Sequence, residues 1–176
     1  MAWRLKPSET GLLVVDVQEK LVAAVKEPAD WVERVEILVK AAKLLEIPVG
    51  ITEQVPTKLG KTVPAILQAA GQVAPISKTL FSAAEAGRSL GKKKVLVAGC
   101  ETHVCIRQTV YDLRLKEIQP VLVADAVGSR RDSDRQLALQ EMRHDGIVVA
   151  TTEAVLFELL EGAEHPKFKE IQALIK

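Results

Sequence analysis

Three side chains of complementary reactivity stand far apart in the sequence. They are Asp16 in Val14-Val15-Asp16-Val17-Gln18, Lys78 in Ile76-Ser77-Lys78-Thr79-Leu80-Phe81, and Cys105 in Gly99-Cys100-Glu101-Thr102-His103-Val104-Cys105. A thiolate attacks electrophilic carbon, a carboxylate takes and returns protons, and an ammonium holds both anions in place. Thr102 suits a helix N-cap, which makes Cys105 the third helical residue. There, unpaired amides and the positive end of the helix dipole favour thiolate over thiol, lowering a pKa that is about 8.5 when unperturbed. A free cysteine taken alone reads as a small packed hydrophobe. Cys100 keeps that reading, because it falls at a strand end before the helix amides can act on it. The spacing of the two cysteines is not that of a thioredoxin-type redox pair.

Other chemistries lack their parts. Cys100, Glu101, His103 and Cys105 are metal-ligand types, but they crowd into six residues where zinc sites draw on separated pairs. His144 and His165 have no partner spacing, so no metal is expected. No G-x-G-x-x-G follows the first apolar run and no P-loop occurs, so neither a dinucleotide nor any other cofactor is expected.

The elements that must position these residues follow from periodicity. Six short apolar runs, at 12–17, 47–52, 73–77, 94–98, 121–124 and 147–150, are rich in Val, Ile and Leu without clean alternation. Strands buried on both faces have that pattern. Between them, 28–46 carries Trp31, Val35, Leu38, Val39, Ala42 and Leu45 on one stripe, with Pro28 in its first turn and Pro48 beyond its end. The stretch 102–117 aligns Ile106, Thr109, Val110 and Leu113, and further helices are expected over 131–144, 152–160 and 166–175. Alternating strands and helices imply right-handed crossovers and a parallel sheet covered on both sides. The expectation is one three-layer α/β/α domain over residues 1–176, with a six-stranded parallel Rossmann-like sheet. In such a sheet, function collects at the carboxyl ends of the strands. Asp16, Thr52 and Glu53, Lys78, the stretch from Gly99 to Cys105, Asp125, and Thr151 with Thr152 all fall there.

Composition excludes several partners. The 176 residues carry 24 Lys and Arg against 23 Asp and Glu, a net charge of +1, with 3% aromatics. That balance argues against nucleic acid or an anionic membrane, and the aromatics are too few for a base-stacking platform. No run approaches the roughly 18 apolar residues of a membrane span, and charges interrupt the first residues where a signal peptide needs an apolar stretch. A cytoplasmic protein is the expectation.

Together, Asp16, Lys78 and the Gly99-x-x-Thr102-x-x-Cys105 pattern resemble the isochorismatase-like cysteine hydrolase family over nearly the whole chain. Thr52-Glu53-Gln54, Leu59-Gly60-Lys61-Thr62-Val63-Pro64 and the tail Glu164-His165-Pro166-Lys167-Phe168-Lys169 are similar to its isochorismatase-domain-containing subgroup. The resemblance implies a six-stranded parallel sheet and a catalytic triad of Asp16, Lys78 and Cys105. It also implies a cis peptide between Cys100 and Glu101, and an oxyanion hole from the backbone amides of Glu101 and Cys105. The pocket it implies is bounded by Gln18, Thr52, Gln54, Phe81 and Thr102, and the assembly is a homo-oligomer, a dimer or tetramer. Two departures narrow the activity. Nicotinamidases of this family hold a metal through an aspartate and two histidines after the second strand, and 51–66 contains neither residue type. Isochorismatase proper lacks the nucleophilic cysteine that Cys105 supplies.

The expected protein is a hydrolase that opens an amide or related C–N bond of a small molecule through a cysteinyl thioester. Its alternatives are a non-catalytic binding or interaction member of the same fold, and a redox-sensing thiol protein. Trp3 reads either as an interface anchor or as packing under the amino-terminal segment. The mixed-charge stretch 129–135 reads as a solvated helix start or a subunit contact.

Overall fold

The computed structural model describes residues 4–176; Trp3 lies outside the described residues. Six strands form one all-parallel sheet: β1 (Thr10–Val15), β2 (Val49–Gln54), β3 (Ile76–Lys78), β4 (Lys94–Cys100), β5 (Gln119–Gly128) and β6 (Val148–Ala150). Their spatial order is β3-β2-β1-β4-β5-β6, so the chain builds outward from β1 to one edge and then returns to start again at β4. The order reverses between β1 and β4, where open α/β sheets leave a crevice at their carboxyl ends.

Side chains alternate across β1. Leu12 and Val14 enter a core with α2 (Trp31–Leu44), α4 (Pro64–Ala70), α8 (Thr152–Leu160) and α9 (Phe168–Leu174). Leu13 and Val15 enter a second core with α5 (Ala84–Ser89), α6 (Arg107–Leu115) and α7 (Asp132–His144). Every β1 residue is buried, as a strand covered on both faces requires. The edge strands differ. β3 is exposed at Ile76 and Ser77, and β6 is only half-buried, because each lacks a neighbour on one side and is three residues long. Pro28 is not helical either: it follows a cis bond from Glu27 and sits in a turn that leads into α2 at Trp31.

Four short helices escape the periodicity reading, α1 (Glu19–Ala24), α3 (Pro56–Leu59), α4 and α5, and α1 and α3 shape the site. Gly99 has a geometric duty beside them. With φ at 121°, a Cβ placed on it meets the Val15 carbonyl oxygen at 2.0 Å, so β1 and β4 close to this distance only around glycine.

Candidate active site

Asp16 is the first residue past β1 and adopts a left-handed conformation, φ 54°, which aspartate tolerates better than most residues. Its amide donates to the Thr52 carbonyl at 3.1 Å, and its own carbonyl accepts from the Gln18 amide at 2.8 Å. The side chain is fully buried. Oδ1 accepts from the Thr52 hydroxyl at 2.8 Å, and Oδ2 accepts from Lys78 Nζ at 2.6 Å.

Lys78 ends β3, two strands from β1, so its long stem must cross β2 to arrive. Gln54, its partner in the β2–β3 register, lies on that path. Gln54 Oε1 accepts from Lys78 Nζ at 2.7 Å, while Gln54 Nε2 donates to the Thr79 carbonyl at 2.8 Å. The carbonyls of Phe81 and Leu80 face the ammonium at 2.9 and 3.2 Å. Four acceptors around three N–H donors leave this cation little freedom to wander.

Cys105 enters from the other side of the crevice. The Cys100–Glu101 peptide is cis, and Thr102–Ile106 forms a π-helical turn that runs into α6. Glu101, not Thr102, takes the flanking position ahead of this turn. The Thr102 hydroxyl instead donates to the Gly128 carbonyl at 3.1 Å, tying the turn to β5. The Cys105 and Asp16 side chains interact, and each shifts the titration of the other.

The electrostatics reverse one expectation. The Cys105 thiol is pushed up to about 12, first by burial and then by the Asp16 charge; Lys78 and a hydrogen bond from the Glu101 backbone pull less strongly the other way. The sulfur is therefore a thiol at neutral pH, because loss of water and a facing carboxylate outweigh the helix-start amides. Asp16 is also raised above the ordinary aspartate value, by burial first, with Lys78, Thr52 and Cys105 opposing. Cys100 is fully buried and its thiol is raised as well, chiefly by desolvation; its Sγ donates to the Asp16 carbonyl at 3.2 Å. Its reading as a packed residue agrees with that placement.

A cleft of about 340 Å³ opens beside Cys105. Lys20, Leu21 and Ala24 of α1 form one wall, Gln54, Leu59 and Phe81 a second, and Glu101, Val104 and Arg130 flank the sulfur. Three residues expected on this wall, Gln18, Thr52 and Thr102, are absent from it. Gln18 is fully buried and works as a strut: its Nε2 donates to the Gln54 and Gly60 carbonyls at 3.0 and 2.7 Å, and its Oε1 accepts from the Gln54 amide at 2.7 Å. Thr102 is buried with its hydroxyl on β5. Thr52 also turns away, to Asp16 and to a larger, apolar cleft of about 650 Å³ on the far side of Lys78. Another groove, at Arg114, Pro120 and Val148, lies at the amino ends of β5 and β6 and is remote from this chemistry.

The remaining strand-end residues are structural. Glu53 Oε1 accepts from the Thr62 amide and hydroxyl at 2.7 and 2.8 Å. Asp125 lies within β5, and its Oδ1 accepts from the Thr152 amide and hydroxyl, holding the start of α8. The stretch 129–135 is more than a solvated helix start. Ser129 is buried, and Arg135 is buried with its guanidinium on the Val127 and Ala124 carbonyls. Arg130 reaches the cleft itself. Among the described residues, no group of three or more His, Cys, Asp and Glu side chains is arranged to hold a metal ion.

An all-parallel α/β sheet with an acid, an ammonium and a thiol gathered at its carboxyl ends has the form of a hydrolase-type α/β protein. The family model for the isochorismatase domain matches residues 10–154, and the chain belongs to that family. Isochorismatase domain-containing protein 2A of Mus musculus is 39% identical over 179 residues, covering 98% of this chain and 85% of that protein. Isochorismatase domain-containing protein 1 of Salmo salar is 40% identical over 177 residues, which cover 98% of this chain and 62% of that longer protein. Among solved structures, MAR1 ribonuclease from Caenorhabditis elegans superposes with a TM-score of 0.93 at 37% identity, over 98% of this chain and 92% of the other.

Proposed function

We propose that this chain hydrolyses a small amide or a related C–N compound through a thioester on Cys105. The observation that carries the reading is one buried carboxylate, Asp16, bonded to Lys78 Nζ at 2.6 Å and coupled to a thiol that lines a cleft. The thiol proton passes to Asp16 as sulfur bonds to the carbonyl carbon, and the Glu101 and Cys105 amides receive the developing oxyanion. Asp16 returns the proton to the leaving nitrogen as the C–N bond breaks. It then takes a proton from water, which opens the thioester, and delivers it to the departing sulfur. Burial raises Asp16 toward a useful base, while Lys78 opposes that rise and favours the carboxylate.

Competing readings fit less well. A redox sensor needs a low-pKa thiol, and both thiols here are raised. A binding module has no need of a proton acceptor coupled to a thiol. The ribonuclease name of the Caenorhabditis elegans structure points to RNA, but a net charge of +1 and 3% aromatics supply little to hold it. Both cysteines are free, which suits a reducing compartment such as the cytoplasm. A dimeric or tetrameric assembly belongs to the same proposal, and light scattering checks it.

The deciding assay is a panel of amides, ureides and carbamates, with single-stranded RNA alongside, run on wild type and Cys105→Ala. Turnover of a small C–N substrate that vanishes in the variant supports the reading. Turnover that survives the substitution, or cleavage of RNA alone, overturns it.

A further inference from the structure

Arg130 stands where the cleft wall meets the start of α7, and its two ends do different work. The backbone amide and Nε both donate to Oε1 of Glu101, at 3.1 and 3.0 Å, so the base of the guanidinium is clamped to a carboxylate that is itself 9% exposed. The terminal Nη1 and Nη2 amines find no acceptor among the described residues, although the side chain is 62% exposed and lines the Cys105 cleft. An arginine fixed through Nε presents its Nη edge as a pre-oriented fork, the geometry that takes a carboxylate by two parallel hydrogen bonds.

Besides Arg130, the cleft is lined by one cation, Lys20, and one acid, Glu101. Lys20 is a second cation on the wall, with Nζ resting on the Lys58 carbonyl. Of the acids nearby, Glu101 is committed to Arg130, Asp16 to Lys78 and Thr52, and Asp134 lines a separate groove with Arg130 and Arg131. The cleft lining includes five aliphatic or aromatic residues, Leu21, Ala24, Leu59, Phe81 and Val104, beside the polar Gln54. The cleft thus has a nucleophile, a short apolar wall and an unspent fork, with a volume near that of a dozen waters.

Resting on the hydrolase reading, we infer that Arg130 recognises a carboxylate on the substrate. The substrate class narrows to compact amides that carry a free carboxylate at the end remote from the scissile bond. Glutaramate and glutaramide make a matched pair, alike in shape and differing in that one charge. Titration calorimetry in a Cys105→Ala background, where no turnover intervenes, compares them. Glutaramate is expected to bind at least tenfold more tightly than glutaramide, with succinamate and adipamate bracketing the best length. Adding Arg130→Gln should bring the ratio near one, and adding Arg131→Gln, its neighbour outside this cleft, should leave it intact.

A ratio near one before Arg130 is changed overturns the inference. So does a preference that survives Arg130→Gln, one that is lost instead with Arg131→Gln, or no binding by either compound at 20 millimolar, roughly the weak end of small-ligand affinities. The outcome is separable from that of the hydrolase reading. A carboxylate preference without turnover in wild type leaves recognition standing and the chemistry wrong, and turnover of neutral amides without the preference does the reverse.

Discussion

At the scale of single residues, the informative feature is that Asp16 opposes the ionisation of Cys105, whereas the Cys105 thiol and Lys78 favour the Asp16 carboxylate and Lys78 also favours the thiolate. In the proposed mechanism the site therefore keeps its proton on sulfur until an electrophile arrives, and Asp16 takes it. Asp16→Asn should lower turnover by about 10²- to 10⁴-fold, the usual worth of a positioned general base. The same change removes the charge that raises the thiol and leaves Lys78 unopposed, so the Cys105 pKa should fall below its wild-type value of about 12. The pH dependence of iodoacetamide labelling, followed by intact mass, reads this directly. A midpoint at lower pH together with lost turnover fits a base, whereas an unmoved midpoint means the two groups are not coupled. Lys78→Ala should move the midpoint upward, because the cation that favours thiolate is gone.

At the scale of elements, the site depends on how three strand ends are held. Gln18 joins the start of α1 to the end of β2 through two buried hydrogen bonds with Gln54, and to the end of α3 through a part-buried one with the Gly60 carbonyl. Gln18→Leu leaves the Gln54 amide and two carbonyls without partners, a loss of about 1–3 kcal/mol for each group that stays unsatisfied. Chemical denaturation should show that loss, and turnover should fall further than stability accounts for, because Gln54 also anchors Lys78. Gly99→Ala is the harsher test: its Cβ collides with backbone rather than a movable side chain, so cooperative folding should be lost or Cys105 displaced. The sequence makes the β1 to β6 progression legible because buried strands are apolar throughout, and it places Asp16, Lys78 and Cys105 at strand ends. It does not reveal α1, α3, α4 or α5, which at four to seven residues are too short for a periodic stripe. Pro56 at the first position of α3 is the signal that marks it. The strut role of Gln18 and the cleft role of Arg130 arise from contacts over 36 and 29 residues of sequence, which local pattern does not encode.

At the scale of the whole molecule, the fold must carry a site that works against its own stability. A thiol with a folded pKa of about 12, against about 8.5 when unfolded, binds its proton more tightly in the native state. Its contribution is complete below the unfolded value and is lost as pH rises toward the folded one, at about 1.4 kcal/mol per pH unit. Cys100 shifts in the same direction. Asp16 is raised too, so its ionisation also costs the native state stability as pH climbs above the ordinary aspartate range. The two cores on either side of the sheet supply the surplus that tolerates this. Denaturant unfolding between pH 8.5 and 11 should thus show wild type losing stability more steeply than Cys105→Ala, by about 1.4 kcal/mol per pH unit. The difference should disappear below pH 8, where the thiol is protonated in both states. Equal slopes across that window would mean that the folded protein accommodates a thiolate as readily as water does, and that the proton on Cys105 needs no base to remove it.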